Sequence, residues 1–166
     1  LVADSSASDA TVTLLKAEPL SASDIAAYSL GTGAQSDGNG GMQYHASSNV
    51  YAGSYIKTTV DAWSSAKAPA ATEARLISLE DLTTSLGYEY YEEGTNSGYR
   101  KTESTPNWLY NSNYGYWTMS QYNDSSSDVW NMPSVGTLNF NTVNNNNSVV
   151  RPVITIAKSD LIKQEE

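Results

Sequence analysis

Apolar positions in the first half of the chain recur at helical spacing, whereas in the second half they fall in short runs between polar loops. Residues 11–16 (TVTLLK) predict a first strand, and residues 17–27 (AEPLSASDIAA) hold a short helix beginning after Ser21 or Ser23. Residues 31–41 (GTGAQSDGNGG) form a loop on any reading. Over residues 54–66, Ile56, Val60 and Trp63 share one helical face and Ser54 suits the N-cap, so an amphipathic helix packs through Trp63. Residues 67–72 are an Ala/Pro linker, and residues 74–77 (ARLI) are a short strand or extended piece.

Ser78 and Asp81 then match a capping box with Asp in place of Glu or Gln. Leu79, Leu82 and Leu86 follow on one face, and Gly87 suits the C′ position of this second, short helix. Trp63, Trp117 and the three leucines are expected to share one core. Residues 88–105 read as a long excursion rich in Tyr and Glu, and Pro106 can open a single helical turn through Leu109. From Tyr116 onward the anchors are Tyr116-Trp117, Val129-Trp130, and Leu138 with Phe140, spaced for short antiparallel strands joined by polar loops. Residues 149–156 (VVRPVITI) are the strongest strand signal, β-branched residues bounded by turn formers. Residues 1–10 read as a disordered lead-in, residues 11–158 as a single domain, and residues 159–166 as a charged tail that frays. No internal repeat is visible.

Composition narrows the function classes. The 166 residues suffice for one domain with a real core. Charged residues make up only 16%, so Ser, Thr, Asn, Gly and 12 Tyr carry the polar surface. A net charge of −9 repels phosphate backbones and argues against nucleic acid as a partner. The absence of Cys excludes disulfides, zinc–thiolate sites and thiol nucleophiles. No apolar run approaches membrane-spanning length, so membrane insertion is not expected. The chain opens on Leu1 and reads as a mature fragment whose signal or anchor lies outside it.

The order of strand, helix, helix, short strands with long loops, and closing strand fits an α+β fold. Two helices would flank a small twisted antiparallel sheet. The strings ARLISLEDL from Ala74, Trp108-Leu109-Tyr110, Tyr116-Trp117-Thr118, Val129-Trp130, Gly136-Thr137-Leu138 and Val150-Arg151-Pro152-Val153-Ile154 sharpen this. Together they resemble a family of uncharacterised bacterial surface and pilin-associated domains, chiefly of Gram-positive bacteria. The resemblance covers roughly residues 12–158 and implies a C-type-lectin-like fold, in which the first strand, residues 11–16, pairs with the closing strand, residues 149–157. The Arg-Pro-Val ending is similar to the closing strand of formylglycine-generating-enzyme-like domains and of the variable proteins of diversity-generating retroelements. In that wider group, the residues just before this strand form the ligand-binding face. The family often has Gly before Val-Arg-Pro, where this chain has Val149. The calcium-dependent sugar motifs of true lectins are absent, and so are the cysteines of the enzyme branch.

Asn stands at only three positions before Asn107, residues 39, 49 and 96, and is concentrated after it. The candidate ligand-binding residues are Asn111, Asn113, Tyr114, Tyr116, Tyr122 and Asn123, then Asp124, Trp130 and Asn131, then Asn139, Asn141, Asn144 and Asn145. Tyr, Ser, Gly and Asn with occasional Trp is the composition of antibody-type paratopes, in which Tyr supplies rigid contact area and Ser and Asn supply adaptable hydrogen bonds. The bland alternative is that Asn and Ser tolerate turns. Adenine-directed mutagenesis of Asn codons yields largely this same alphabet, so diversified loops are one expectation. Low-complexity bias gives the same letters.

Catalysis finds little support. The single His45 would have to serve any Ser-His-Asp site, and no nucleophile elbow surrounds a Ser. Glu89, Glu92 and Glu93 read as a solvated acidic loop rather than a glycosidase pair. Asp124 and Asp128 with Asn123 and Ser126 offer too few carboxylates for Ca²⁺, which takes about six to eight oxygens. No metal or cofactor is expected. Arg151 within an apolar strand must pair with a carboxylate or with backbone carbonyls, and Pro152 implies an edge or an interrupted ladder. The expectation is a non-catalytic binding domain, extracellular or at the cell surface, for an unknown protein or glycan ligand. The alternative is a structural, minor pilin-like subunit with no dedicated ligand.

Overall fold

Alternating apolar residues in the first and last strands bring the two ends of the chain together. β1 (Thr11–Leu15) runs antiparallel to β8 (Val153–Ala157), with Thr13 opposite Thr155 and Leu14 opposite Ile154. This is the pairing that the resemblance implies. β2 (Ala71–Arg75) lies on the other side of β8, giving the order β1-β8-β2 with a register shift between Ala71 and Glu73. The computed structural model describes residues 10–110, 115–123, 125–133 and 136–162. Within them the architecture is mixed α/β, with four helices and three small antiparallel sheets.

The closing run behaves differently from the single strand expected over 149–156. Its first half leaves the sheet and divides its backbone bonds among three neighbours. Ser148 O accepts from Met42 N, Val149 exchanges bonds with Gly115 and Trp117, and Val150 O accepts from Leu20 N. The ladder then begins where Lys16 N donates to Pro152 O at 2.9 Å. Proline has no N–H to return to Lys16 O, and the Arg151 side chain supplies the missing donor, Nε to Lys16 O at 2.8 Å. Its other nitrogens reach Leu109 O at 2.7 Å and Trp108 O at 2.9 Å. Arg151 is only 3% exposed, and its guanidinium lies 5.4 Å from the centre of the Tyr116 ring. The expected pairing with backbone carbonyls therefore holds, and it explains why Arg and Pro are adjacent.

Serine caps open three helices. Ser21 forms a capping box with Asp24 at α1 (Ala22–Tyr28), Ser54 accepts from Lys57 N at α2 (Tyr55–Lys67), and Ser78 forms a box with Asp81 at α3 (Leu79–Thr84). Asp81 also takes a fork of two bonds from Arg75, tying α3 to β2. Gly87 lies two residues past the Ser85 C-cap rather than at C′. It must be Gly on two counts: its φ is +72°, and a Cβ would meet Ser104 Oγ at 2.4 Å. A fourth helix, α4 (Lys158–Ile162), follows β8 directly and takes in the first residues of the tail expected to fray. Among the described residues no helix is long and apolar enough to cross a membrane.

Residues 88–105 are not a loose excursion. β3 (Tyr88–Glu93) and β4 (Asn96–Lys101) form a hairpin closed by Gly94 at φ +64°. Their carboxylates and glycines mask the strand pattern, but across the pair Glu89 and Glu93 both bond Arg100, and Tyr90 faces Tyr99. Asn107–Leu109 is one 3₁₀ turn with Pro106 at its N-cap.

The third sheet, β5 (Tyr116–Gln121), β6 (Asp128–Met132) and β7 (Asn139–Thr142), separates two cores. Alternation sends Trp117 and Val129 to the side of Ile56, Val60, Trp63 and Tyr44, and Tyr116, Trp130 and Met132 to the side of Leu82, Tyr88 and Leu109. The single core expected from Trp63, Trp117 and the leucines is thus two. Leu82 lies in the second, with Leu79 and Leu86 only partly buried against it.

Candidate binding face

Register creates an aromatic ridge. Trp130 on β6 stands opposite Phe140 on β7, so both rings project from one face of the sheet. Just after β5 the chain turns back, with Tyr122 N donating to Asp128 O at 3.0 Å. This lays the Tyr122 ring on Phe140, centroids 4.4 Å apart at 25°, with Trp130 at 5.0 Å and 75°. On its other side Trp130 meets Tyr99 edge-on at 5.4 Å, and Tyr99 meets Tyr90 at 5.5 Å. Five rings are therefore in contact from the hairpin to the edge strand, each pair in a geometry the ring quadrupoles favour. The middle is buried and the ends are not: Trp130 is 7% exposed, Phe140 48% and Tyr90 57%. The Trp130 indole N–H is buried without a hydrogen-bond partner among the described residues, a cost the surrounding rings must offset.

A polar groove of about 480 Å³ adjoins the ridge at Tyr122, lined also by Asn49, Gln121, Asn123, Ser125 and Ser126. Its floor is held by Asn49, which is buried and comes from the loop before α2. Asn49 Nδ2 donates to Ser125 O at 2.6 Å and Asp128 O at 3.1 Å, its Oδ1 accepts from Gln121 Nε2 at 3.2 Å, and its backbone N–H donates to Ser126 O. Asn49 thus holds the carbonyls of Ser125, Ser126 and Asp128 from outside the turn between β5 and β6.

The residues singled out from sequence divide between two faces of this sheet. Tyr122 and Trp130 belong to the ridge, and Asn123 lines the groove. Tyr116 is fully buried and its hydroxyl donates to Leu109 O at 2.8 Å, so it is a core residue and not an outward contact. Burial pushes its phenol well above the usual range, against the pull of the neighbouring Arg151. Asn131 turns away from the ridge, 8% exposed, and donates to Ser148 Oγ at 2.9 Å. On that side Asn141 donates to Asn147 and Ser148, Asn145 donates to Asn141, and the Asn144 carbonyl accepts from Gln43. These amides largely satisfy one another.

Asn139 and Asn141 have a further role. Their side-chain oxygens accept from the next backbone N–H, Phe140 at 2.9 Å and Thr142 at 3.0 Å. Val143 N donates to Ser127 O, so the odd-numbered residues face β6 and the N–H groups of Phe140 and Thr142 point off the free edge. Both outward donors of β7 are capped by their own neighbours. Asn111, Asn113, Tyr114 and Asp124 lie outside the described residues.

Sequence reasoning missed Tyr90, Tyr99, Phe140, Asn49 and Gln121. The alternation of Tyr around Gly94 could have signalled the first two; Asn49 gives no local signal because its partners lie more than seventy residues away. Of the catalytic candidates, Glu89 and Glu93 bond Arg100 across the hairpin. His45 Nδ1 accepts from Ser47 N and Ser48 N, and its ring stacks on Tyr55 at 5.3 Å. Among the described residues no three His, Cys, Asp or Glu side chains are grouped to hold a metal ion. No protein-family model matches the chain, and neither a curated protein nor a solved structure does.

Proposed function

We propose that this is a non-catalytic binding domain, displayed outside the cell or on its surface, whose ligand-binding face is the aromatic ridge with the groove at Tyr122. The observation that carries the reading is the ridge itself: five rings in contact, two of them projecting into solvent at its ends. Binding energy concentrates in a few rigid aromatic residues, and this arrangement holds them without further ordering. A C-type-lectin-like fold belongs to the same proposal. The adjacent first and last strands, and the position of the ridge just before the closing strand, support it. A diversity-generating-retroelement variable protein is one form such a domain takes. The alternative is a structural, pilin-like subunit whose polar loops only pack on neighbouring copies, and concentration-dependent assembly into filaments would favour it.

The test is a screen of the domain against cell-surface proteins and glycans, repeated with a Tyr90→Ser, Phe140→Ser double variant. Both side chains are about half exposed, so the melting temperature should stay within about 3 °C of the parent, as mild surface substitutions do. The expected outcome is a verified ligand whose affinity falls at least about tenfold, the equivalent of about 1.4 kcal/mol. A ligand bound equally well by the double variant overturns the assignment of the face.

A further inference from the structure

We infer that the cleft between α3 and the first sheet is a binding site for a small molecule carrying one uncharged aromatic ring. The inference goes beyond the binding face, because no residue lining this cleft belongs to the ridge or to the groove at Tyr122. Register builds the floor. Leu15 on β1 and Arg75 on β2 both stand opposite Val153 on β8, so the three side chains leave the sheet on one face, which Thr13 shares. The fork from Arg75 to Asp81 holds α3 over that face. Between them lies a cleft of about 160 Å³. Leu15, Ile77 and Val153 are its buried lining, Leu86 is half-buried, and Trp108 is 38% exposed. Thr13 and Ser85 are exposed at its rim.

The volume and the walls set the ligand. A cavity of about 150 Å³ lined by Leu, Ile and Phe holds one benzene, and this cleft has a similar volume and an apolar floor. The Trp108 ring offers a second ring an edge-on or offset partner, which a saturated ring does not use. The walls are fixed before a ligand arrives. Arg151 bonds Lys16 O, next to Leu15, and the carbonyls of Leu109 and Trp108. Asp81 accepts from Arg75 and from the N–H and hydroxyl of Ser78. Little ordering therefore opposes binding. Because Asp81 is committed to these bonds, a charged ligand would set its charge against Leu15, Ile77 and Val153 without compensation. The rim suits one hydroxyl. Thr13 Oγ1 lies 3.5 Å from Thr155 Oγ1, and Ser85 Oγ lies 3.4 Å from Thr84 Oγ1. Both separations exceed the usual O–H···O value of about 2.7–2.8 Å, so each hydroxyl keeps capacity for a ligand. A phenol combines these features.

The experiment titrates the whole domain with phenol and toluene, followed by amide chemical shifts and the indole N–H signal of Trp108. Cyclohexanol, benzoate and benzylamine are the comparison probes, and a short phenylalanine-containing peptide presents the ring as a side chain. The expected result is a saturable response of Leu15, Ser85, Leu86 and Trp108 to phenol at millimolar concentration or below. Toluene should bind more weakly, and the three comparison probes at least tenfold more weakly than phenol. Trp108→Ala should weaken phenol binding at least tenfold. Thr13→Val with Ser85→Ala should weaken phenol but not toluene, a difference that a general loss of folding would not produce. The Tyr90→Ser, Phe140→Ser variant should alter neither. No saturable response to phenol or toluene, binding that survives Trp108→Ala, or a comparison probe that binds as tightly as phenol overturns the inference. Binding of the peptide without the free rings also overturns it and assigns the cleft to a protein partner. Each of these failures leaves the binding face standing.

Discussion

Replacing Arg151 with Met keeps much of its length and removes its donors. Arg151 is nearly fully buried and makes three bonds to main-chain oxygens. Bonds from charged groups contribute about 1.5–3 kcal/mol each, but burying the guanidinium costs several kcal/mol, which Met does not incur. The loss is therefore set by the oxygens left behind. Leu109 O keeps the Tyr116 hydroxyl as a donor. Lys16 O faces Pro152, which has no N–H, and Trp108 O loses the bond from Arg151, at about 1–3 kcal/mol for each unsatisfied buried group. Loss of the contact with the Tyr116 ring adds about 1 kcal/mol; the Lys16 and Trp108 oxygens are only part-buried, so water returns some of their cost, and the variant should lose about 3–5 kcal/mol of a fully buried total of about 3–7. In a domain of this size that lowers the melting temperature by on the order of 10 °C. Arg151→Lys keeps the charge but cannot span three carbonyls from one ammonium and should fall between Met and the parent. Urea unfolding followed by tryptophan fluorescence measures all three. A Met variant within about 1 kcal/mol of the parent would refute the substitute-donor argument.

Trp63→Ala should cost about 3–5 kcal/mol in urea unfolding because Trp63 is only 8% exposed and packs in the core of α1 and α2; a loss below about 1 kcal/mol contradicts that packing. Asp81 predicts an acid limb. Burial pushes its carboxyl up, but the Arg75 guanidinium and the Ser78 backbone and hydroxyl outweigh burial and hold it below the usual carboxylate range. The unfolded chain then binds more protons than the folded one in that window, so the contribution is complete above about pH 5 and is lost as pH falls below about 4 through the depressed value. Urea midpoints of parent and Asp81→Asn should converge between pH 5 and 2, and a difference that does not change with pH rules this out.

Local chemistry was legible in the sequence and long-range pairing was not. The caps at Ser21, Ser54 and Ser78 need only residues within one turn, so letters three apart suffice to find them. The pairing of first and closing strands came from the resemblance, because β-branched letters mark strands but not their partners. The β3–β4 hairpin escaped because Glu and Gly disguise strands whose stability comes from cross-strand pairs, Glu89 with Arg100 and Tyr90 with Tyr99. The split core escaped because helical spacing shows that Trp63 and Leu82 are buried, but not on which side of a sheet formed fifty residues later. At the candidate site, aromatic and amide letters marked the β5–β7 sheet that carries part of the ridge. Their sorting into a ridge on one face and a self-satisfied amide network on the other depends on register, which one residue of slippage would reverse.

The capped edge of β7 determines which spelling changes this segment tolerates. Asn139 and Asn141 each act there through a single acceptor oxygen. Asp and Ser also carry a side-chain acceptor close to the backbone, whereas Lys carries donors alone and Ala carries neither. Drift among Asn, Asp and Ser at position 139 therefore keeps the outward N–H of Phe140 occupied while the charge and shape beside it change, whereas Asn141 is also held by its amide donors to Asn147 and Ser148. At this edge the requirement that keeps the strand's donors covered is one of atom type, not of residue identity.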